Sequence, residues 1–186
     1  MKDLQEKVVS TRQAFQGNIF NVRIDQVELP DGSSSEREVV EHPGGVTIIP
    51  VTPEKKIMMV RQYRIATEEV LLELPAGKID GEESPEEAAR RELKEETGYY
   101  GGDFQHLFDF YTTPGYSSEL LHLYLAEKIH QGERKLEKGE FLKNEKIAVE
   151  RIPDLIFSGQ IKDSKTIVGL LSLKEIIEQS REQGRH

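Results

Sequence analysis

The chain has 186 residues, 36% of them hydrophobic and 32% charged, a composition that fits one folded domain rather than a disordered segment. A formal charge of −9 argues against duplex nucleic acid or an anionic membrane as the main partner, because both require clustered lysine and arginine. With no cysteine, disulfides, thiolate zinc sites and a cysteine nucleophile are excluded together.

Phe20, Val22 and Ile24 alternate with polar residues, Val27 and Leu29 lead into Pro30-Asp31-Gly32, and Arg37 to Glu41 reads as a return strand, so a hairpin is predicted near the N-terminus. Val46 to Val51 and Ile57 to Arg61 are predicted strands flanking a Thr-Pro-Glu-Lys-Lys turn, and Val70 to Leu74 is a third apolar run that stops at Pro75-Ala76-Gly77. Ser84-Pro85-Glu86-Glu87 has the serine, proline and glutamate of a capping box, and Gly98 stands where a left-handed terminator belongs, so a helix is predicted over 85–97. Phe104 to Tyr111 and Leu120 to Ala126 read as strands, 153–157 as a short helix and 164–179 as a longer one. Strands on both sides of an internal helix, with another helix at the end, predict mixed α/β layers. The apolar runs 46–51 and 167–173 are far shorter than the roughly 20 residues that span a bilayer. The first seven residues carry no apolar signal region, so a cytoplasmic location is expected.

From Asp80 to Glu96 there are eight acids and three bases. On a helix turning about 100° per residue, Glu92, Glu95 and Glu96 share an arc of roughly 100°. Such crowding costs stability unless the face is merely solvated or a cation is bound to it. Oxygen donors without cysteine or paired histidine favour a hard ion, Mg²⁺ or Mn²⁺, over zinc or copper. His42, His106, His122, His130 and His186 show no metal-ligand spacing, and His122, inside an apolar strand, reads as a satisfied or surface histidine. No Gly-x-Ser-x-Gly, P-loop or Gly-x-Gly-x-x-Gly is present, which removes serine hydrolase and dehydrogenase readings.

Gly77, Glu83, Arg91, Glu92, Leu93, Glu95, Glu96 and Gly98 stand at the spacing Gly-x5-Glu-x7-Arg-Glu-Leu-x-Glu-Glu-x-Gly, which resembles the signature of the Nudix hydrolases. Tyr99 departs from it, standing where the family usually has an aliphatic residue. Arg37-Glu38, His42-Pro43-Gly44, Val60 to Arg64, Leu72 to Gly77, and Pro114 fifteen residues after Tyr99 further resemble the ADP-ribose pyrophosphatase branch, over about residues 5 to 175.

The resemblance implies a Nudix-type α/β/α sandwich around a mixed sheet, with an N-terminal hairpin region over 1–44 that exchanges between two protomers of a homodimer, and a hydrolase domain over 45–186. It implies Mg²⁺-dependent hydrolysis, with Mn²⁺ as substitute, of the diphosphate of ADP-ribose or a related nucleoside diphosphate sugar by water. Glu92, Glu96 and the Ala76 carbonyl are the implied metal ligands, helped by Glu95, while Arg91 orients Glu83 and its neighbours. Arg37 and Arg61 are implied to grip the nucleotide end or the phosphates and Glu119 a ribose; Phe20 is a core aromatic or a base-stacking one. The general base is implied to come from Lys135-Leu136-Glu137-Lys138-Gly139-Glu140-Phe141, Glu140 first and Glu137 second. The alternatives are a broader hydrolase of GDP-mannose and ADP-glucose, or an inactive module that senses ADP-ribose.

Overall fold

The computed structural model describes residues 4–136 and 138–183. They sort into two compact units, the chain up to Gly44 with Tyr111–Leu120, and Gly45–Phe110 with Leu121 onward. The segment 111–120, expected with the second part of the chain, thus falls in the first unit.

In the first unit β1 (Lys7–Gln16), β2 (Asn21–Glu28) and β3 (Ser34–Glu41) form an antiparallel sheet in that order. The predicted hairpin is β2–β3. Its turn is closed by the Leu29 and Gly32 amides on the Ser33 and Leu29 carbonyls (2.7 and 2.9 Å), and Asp31 Oδ1 accepts from the Ser33 amide at 2.9 Å. β1 was not foreseen, because all ten of its residues are exposed and its polar and apolar positions do not alternate. Segment 111–120 joins through Val40, whose amide donates to the Tyr116 carbonyl and whose carbonyl accepts from the Ser118 amide, at 2.7 and 3.0 Å.

The second unit is built on β4 (Gly45–Pro50), buried along its whole length. It pairs antiparallel with β7 (Ala76–Lys78) and parallel with β10 (Leu120–Glu127), beyond which lies β9 (Asp103–Tyr111), giving a mixed sheet in the order β7-β4-β10-β9. A strand covered on both faces needs side chains that tolerate burial at every position, hence Gly-Val-Thr-Ile-Ile-Pro, whose one polar residue, Thr47, donates its hydroxyl to the Pro75 carbonyl. A second sheet runs β12 (Leu142–Ala148), β5 (Lys56–Arg64), β6 (Glu69–Glu73), all antiparallel, and β8 (Tyr99–Tyr100) pairs with β11 (His130–Gln131).

Alternation along the strands sets the layers. Val46, Ile48, Met58, Tyr124 and Ala126 pack with Ala88, Ala89 and Leu93 of α1 (Pro85–Thr97). Ile49, Ile57, Met59, Leu123 and Leu125 pack with Leu155 of α2 (Ile152–Phe157) and Leu170 and Leu173 of α3 (Ser164–Gln183). The unit is therefore an α/β/α sandwich, as the resemblance implied. No helix among the described residues is long and apolar enough to cross a membrane.

Candidate active site

α1 has the predicted bounds because its ends are determined locally. Ser84 accepts from the Glu87 amide while the Glu87 carboxylate accepts from the Ser84 amide at 2.8 Å, which closes the capping box, and Pro85 opens the first turn. At the other end Gly98, at φ +80°, donates its amide to the Lys94 carbonyl (2.9 Å). Leu93, Ala88 and Ala89, fully buried, fix the rotation of the helix. Tyr99 is also buried in that cluster, with the Lys146 ammonium 5.7 Å from its ring centroid, so the departure from the aliphatic pattern is a matter of packing.

Core burial of Leu93 carries its neighbour Glu96 inward to 4% exposure, where its Oε2 accepts from the Ala76 amide at 3.2 Å. Glu92 lies against β7. A Cβ on Gly77 would sit 1.9 Å from Glu92 Oε1, so only a glycine leaves that carboxylate its place. Arg91 organises the rest. Its guanidinium donates to both oxygens of Glu83 (2.7 and 3.2 Å), to Glu92 Oε1 (2.8 Å), to Glu95 Oε2 (3.1 Å) and to the Lys78 carbonyl (3.0 Å). Glu83 also accepts from the Asp80 amide at 2.7 Å, tying the loop ahead of α1 to the same hub.

Electrostatically the cluster is unbalanced. Burial, then the charges of Glu92 and Glu140, push the Glu96 carboxyl up to about 8, against the opposing pull of the Ala76 amide and Arg64. Burial likewise raises Glu92, despite its bond from Arg91. Carboxylates that repel one another on a partly buried face, with oxygens as the only donors, are an arrangement a hard divalent cation would relieve, and Glu92, Glu95 and Glu96 could hold one.

A model of the NUDIX domain matches residues 41–167, and one of the nucleoside diphosphate sugar hydrolase N-terminal domain matches residues 6–40. The chain belongs to the Nudix hydrolase family. As a Nudix pyrophosphohydrolase it is 40% identical to the ADP-ribose pyrophosphatase of Bacillus subtilis (strain 168), over 96% of this chain and 98% of that one. It is 39% identical to the methanol dehydrogenase activator of Bacillus methanolicus, over 95% and 97%. A solved structure described as an ADP compounds hydrolase superposes with a TM-score of 0.84 at 23% identity, over 95% and 97% of the two chains, and shares the fold. Nudix hydrolases generally work with divalent metal ions, in keeping with the glutamate cluster.

The remaining expected residues of this Nudix chain lie on other elements. Glu140 lies just before β12, and its charge raises both Glu92 and Glu96, so it stands within electrostatic reach of the cluster. Glu137, the second candidate base, lies outside the described residues, as does His186. Arg61, on β5, is paired with Glu145 of β12. In the first unit, Arg37 is held by Glu6 at 2.6 and 2.9 Å, and Glu119 accepts from Thr112 Oγ1 at 2.6 Å, with His42 Nδ1 3.6 Å away. Phe20 is neither a core aromatic nor inside a strand. It precedes β2, is 39% exposed, and leans on Phe15 at 5.9 Å between centroids.

Two features escaped the sequence reading. Glu73, fully buried, accepts both nitrogens of the Arg64 fork at 2.8 Å and the Lys165 ammonium at 2.5 Å, and Arg64 in turn acts on Glu96. Its signal was a glutamate inside the apolar run Val70 to Leu74. Nor are the histidines without company: His106 and His122 both meet Asp109. No spacing announces that trio, because pairing of β9 with β10 assembles it.

Proposed function

We propose that this Nudix chain hydrolyses ADP-ribose to AMP and ribose 5-phosphate with Mg²⁺ as its ion and Mn²⁺ as a substitute. The observation that carries the chemistry is the repelling pair of buried Glu96 and partly buried Glu92 beside Ala76 and Gly77. The near-full-length identity to an ADP-ribose pyrophosphatase supports the substrate. A relative of almost equal identity bears a dehydrogenase activator's name, so likeness supports the hydrolase class more strongly than the substrate.

In this reading Glu92, Glu96 and the Ala76 carbonyl hold the ion, with Glu95 beside them. When bound, it neutralises charge on the diphosphate and helps align the attacking water. Arg91 keeps Glu83, Glu92 and Glu95 in fixed orientation, the support that metal ligands require. Glu140 takes the proton of the water as its oxygen forms the new bond to phosphorus, and the bridging P–O bond breaks toward the leaving phosphate. Arg61 and Arg37 exchange their carboxylate partners for the substrate's phosphates or nucleotide end, a substitution that costs little because pairs this exposed are weak. Glu119 contacts a ribose.

The active protein in this reading is a cytoplasmic homodimer in which the 1–44 region is exchanged and Arg37 serves the partner's site. β1 supports it, being an edge strand of ten exposed residues that include Val8, Val9 and Phe15. Light scattering should give twice the 21.2 kDa chain mass, and a particle of single mass removes the dimer.

The test of substrate is kcat/KM on ADP-ribose, ADP-glucose, GDP-mannose, NADH and diadenosine polyphosphates in Mg²⁺. ADP-ribose should lead by more than about tenfold, roughly 1.4 kcal/mol of transition-state preference. A smaller margin favours the broader sugar-nucleotide hydrolase, and binding without turnover in Mg²⁺ or Mn²⁺ favours a sensing module. Glu140→Gln should depress kcat by about 10²-fold with KM little changed. An unchanged kcat moves the base elsewhere.

A further inference from the structure

β9 and β10 carry a second cluster of ligand atoms, apart from the glutamates of α1. Asp109 Oδ1 lies 2.6 Å from His106 Nε2 and 2.7 Å from His122 Nδ1. A carboxylate only accepts, so both imidazoles turn a nitrogen toward one oxygen. The three ligand atoms fall within 4.8 Å of one another, the only such group of three His, Asp or Glu residues found among the described residues. In a regular strand residues three apart face opposite ways, yet His106 and Asp109 meet, so β9 is irregular between them. Leu107 and Phe110, also three apart, pack against the same core cluster, which reflects the same irregularity.

We infer that His106, Asp109 and His122 form a binding site for a late first-row divalent cation, Zn²⁺ above all, with two imidazole nitrogens and one carboxylate oxygen as ligands and water completing the shell. Imidazole nitrogen favours zinc, nickel or copper, whereas the oxygens of the α1 cluster favour magnesium, so the two sites would sort different ions. Tetrahedral zinc with bonds of about 2.0 to 2.1 Å holds its ligand atoms roughly 3.3 Å apart. Opening the present 2.6 and 2.7 Å separations to that distance takes small rotations of side chains that are 46%, 40% and 21% exposed for His106, Asp109 and His122. The exposed side leaves room for water. Because β9 ends the sheet order β7-β4-β10-β9, the ion would also staple this edge strand to its neighbour.

The test uses the full chain in saturating Mg²⁺, which occupies the glutamate cluster. Titration calorimetry should find one Zn²⁺ per chain, Zn²⁺ should raise the melting temperature, and one equivalent of Cu²⁺ should give an electron-spin resonance spectrum coupled to two nitrogens. The double variant His106→Gln/His122→Gln should lose both couplings and weaken Zn²⁺ by more than about tenfold. His106→Gln alone, at the most exposed of the three positions, should lose one coupling, which guards against a double variant that folds poorly. ADP-ribose hydrolysis in Mg²⁺ should be unchanged in both. A wild-type spectrum without nitrogen coupling, coupling that survives the double variant, or Zn²⁺ displaced by excess Mg²⁺ would each overturn the assignment.

Discussion

Glu73 and Glu96 are both almost completely removed from water, at 1% and 4% exposure, and their fates are opposite. Burial pushes Glu73 up, but hydrogen bonds and charge from Arg64 and Lys165 overcome it and hold the carboxyl below its ordinary value. Burial pushes Glu96 up as well, and there the charges of Glu92 and Glu140 push the same way, to about 8, against the pull of the Ala76 amide and Arg64. Desolvation is common to the two regions, so neighbours decide whether a buried carboxylate is held ionised by the protein or keeps its proton to higher pH. Glu73 joins β6 to α3, while Glu96 is the residue proposed to hold the ion.

The sharpest way to break that contrast is Glu96→Gln, which keeps the shape and removes the charge. Hydrolysis of ADP-ribose should fall by about 10³-fold or more at saturating Mg²⁺ with the fold intact, and near-normal turnover would take Glu96 out of the metal set. Glu73→Gln leaves Arg64 and Lys165 facing a neutral amide, and urea denaturation should register a loss of about 3 kcal/mol. A loss below about 1 kcal/mol would show that Asp163, 3.0 Å from Lys165, already compensates.

Gly77→Ala tests the space beside the cluster. The added methyl meets the end of the Glu92 side chain rather than backbone, so kcat/KM should drop about 10-fold to 100-fold while Tm moves little. Equal activity would mean that Glu92 has another productive position.

The smallest effect concerns pH, and its two parts have opposite sign. Between the unfolded value near 4.5 and the folded value near 8, the folded metal-free protein holds a proton on Glu96 that the unfolded chain has released, so stability declines as pH rises. Glu73 contributes stability above its unfolded value, lost as pH falls below about 4.5. The melting temperature of the Mg²⁺-free protein should therefore fall steadily from pH 5 to pH 8. Glu96→Gln, or added Mg²⁺, should flatten that slope. A slope unchanged in Glu96→Gln would assign it to another group.

Much of the second unit was legible because its signals are short-range. Ser84, Pro85, Glu87 and Gly98 set both ends of α1 through bonds spanning four residues or fewer, and the doubly buried β4 announces itself as a run without a charged residue. Strands whose stability comes from pairing rather than pattern were missed. β1 is exposed throughout, and β12, Leu-Lys-Asn-Glu-Lys-Ile-Ala, is polar at most positions yet pairs in full with β5.

The order of residues alone determined that Glu92, Glu95 and Glu96 share a helix face behind Gly77, because helical periodicity and capping act within a few positions along the chain. Only the tertiary structure decided that Glu96 is desolvated beside Ala76, that Glu73 has two cations to satisfy it, and that His106 and His122 converge on Asp109. Each of these depends on at least one contact that crosses from one element to another, and both dielectric environment and ligand geometry arise from such contacts.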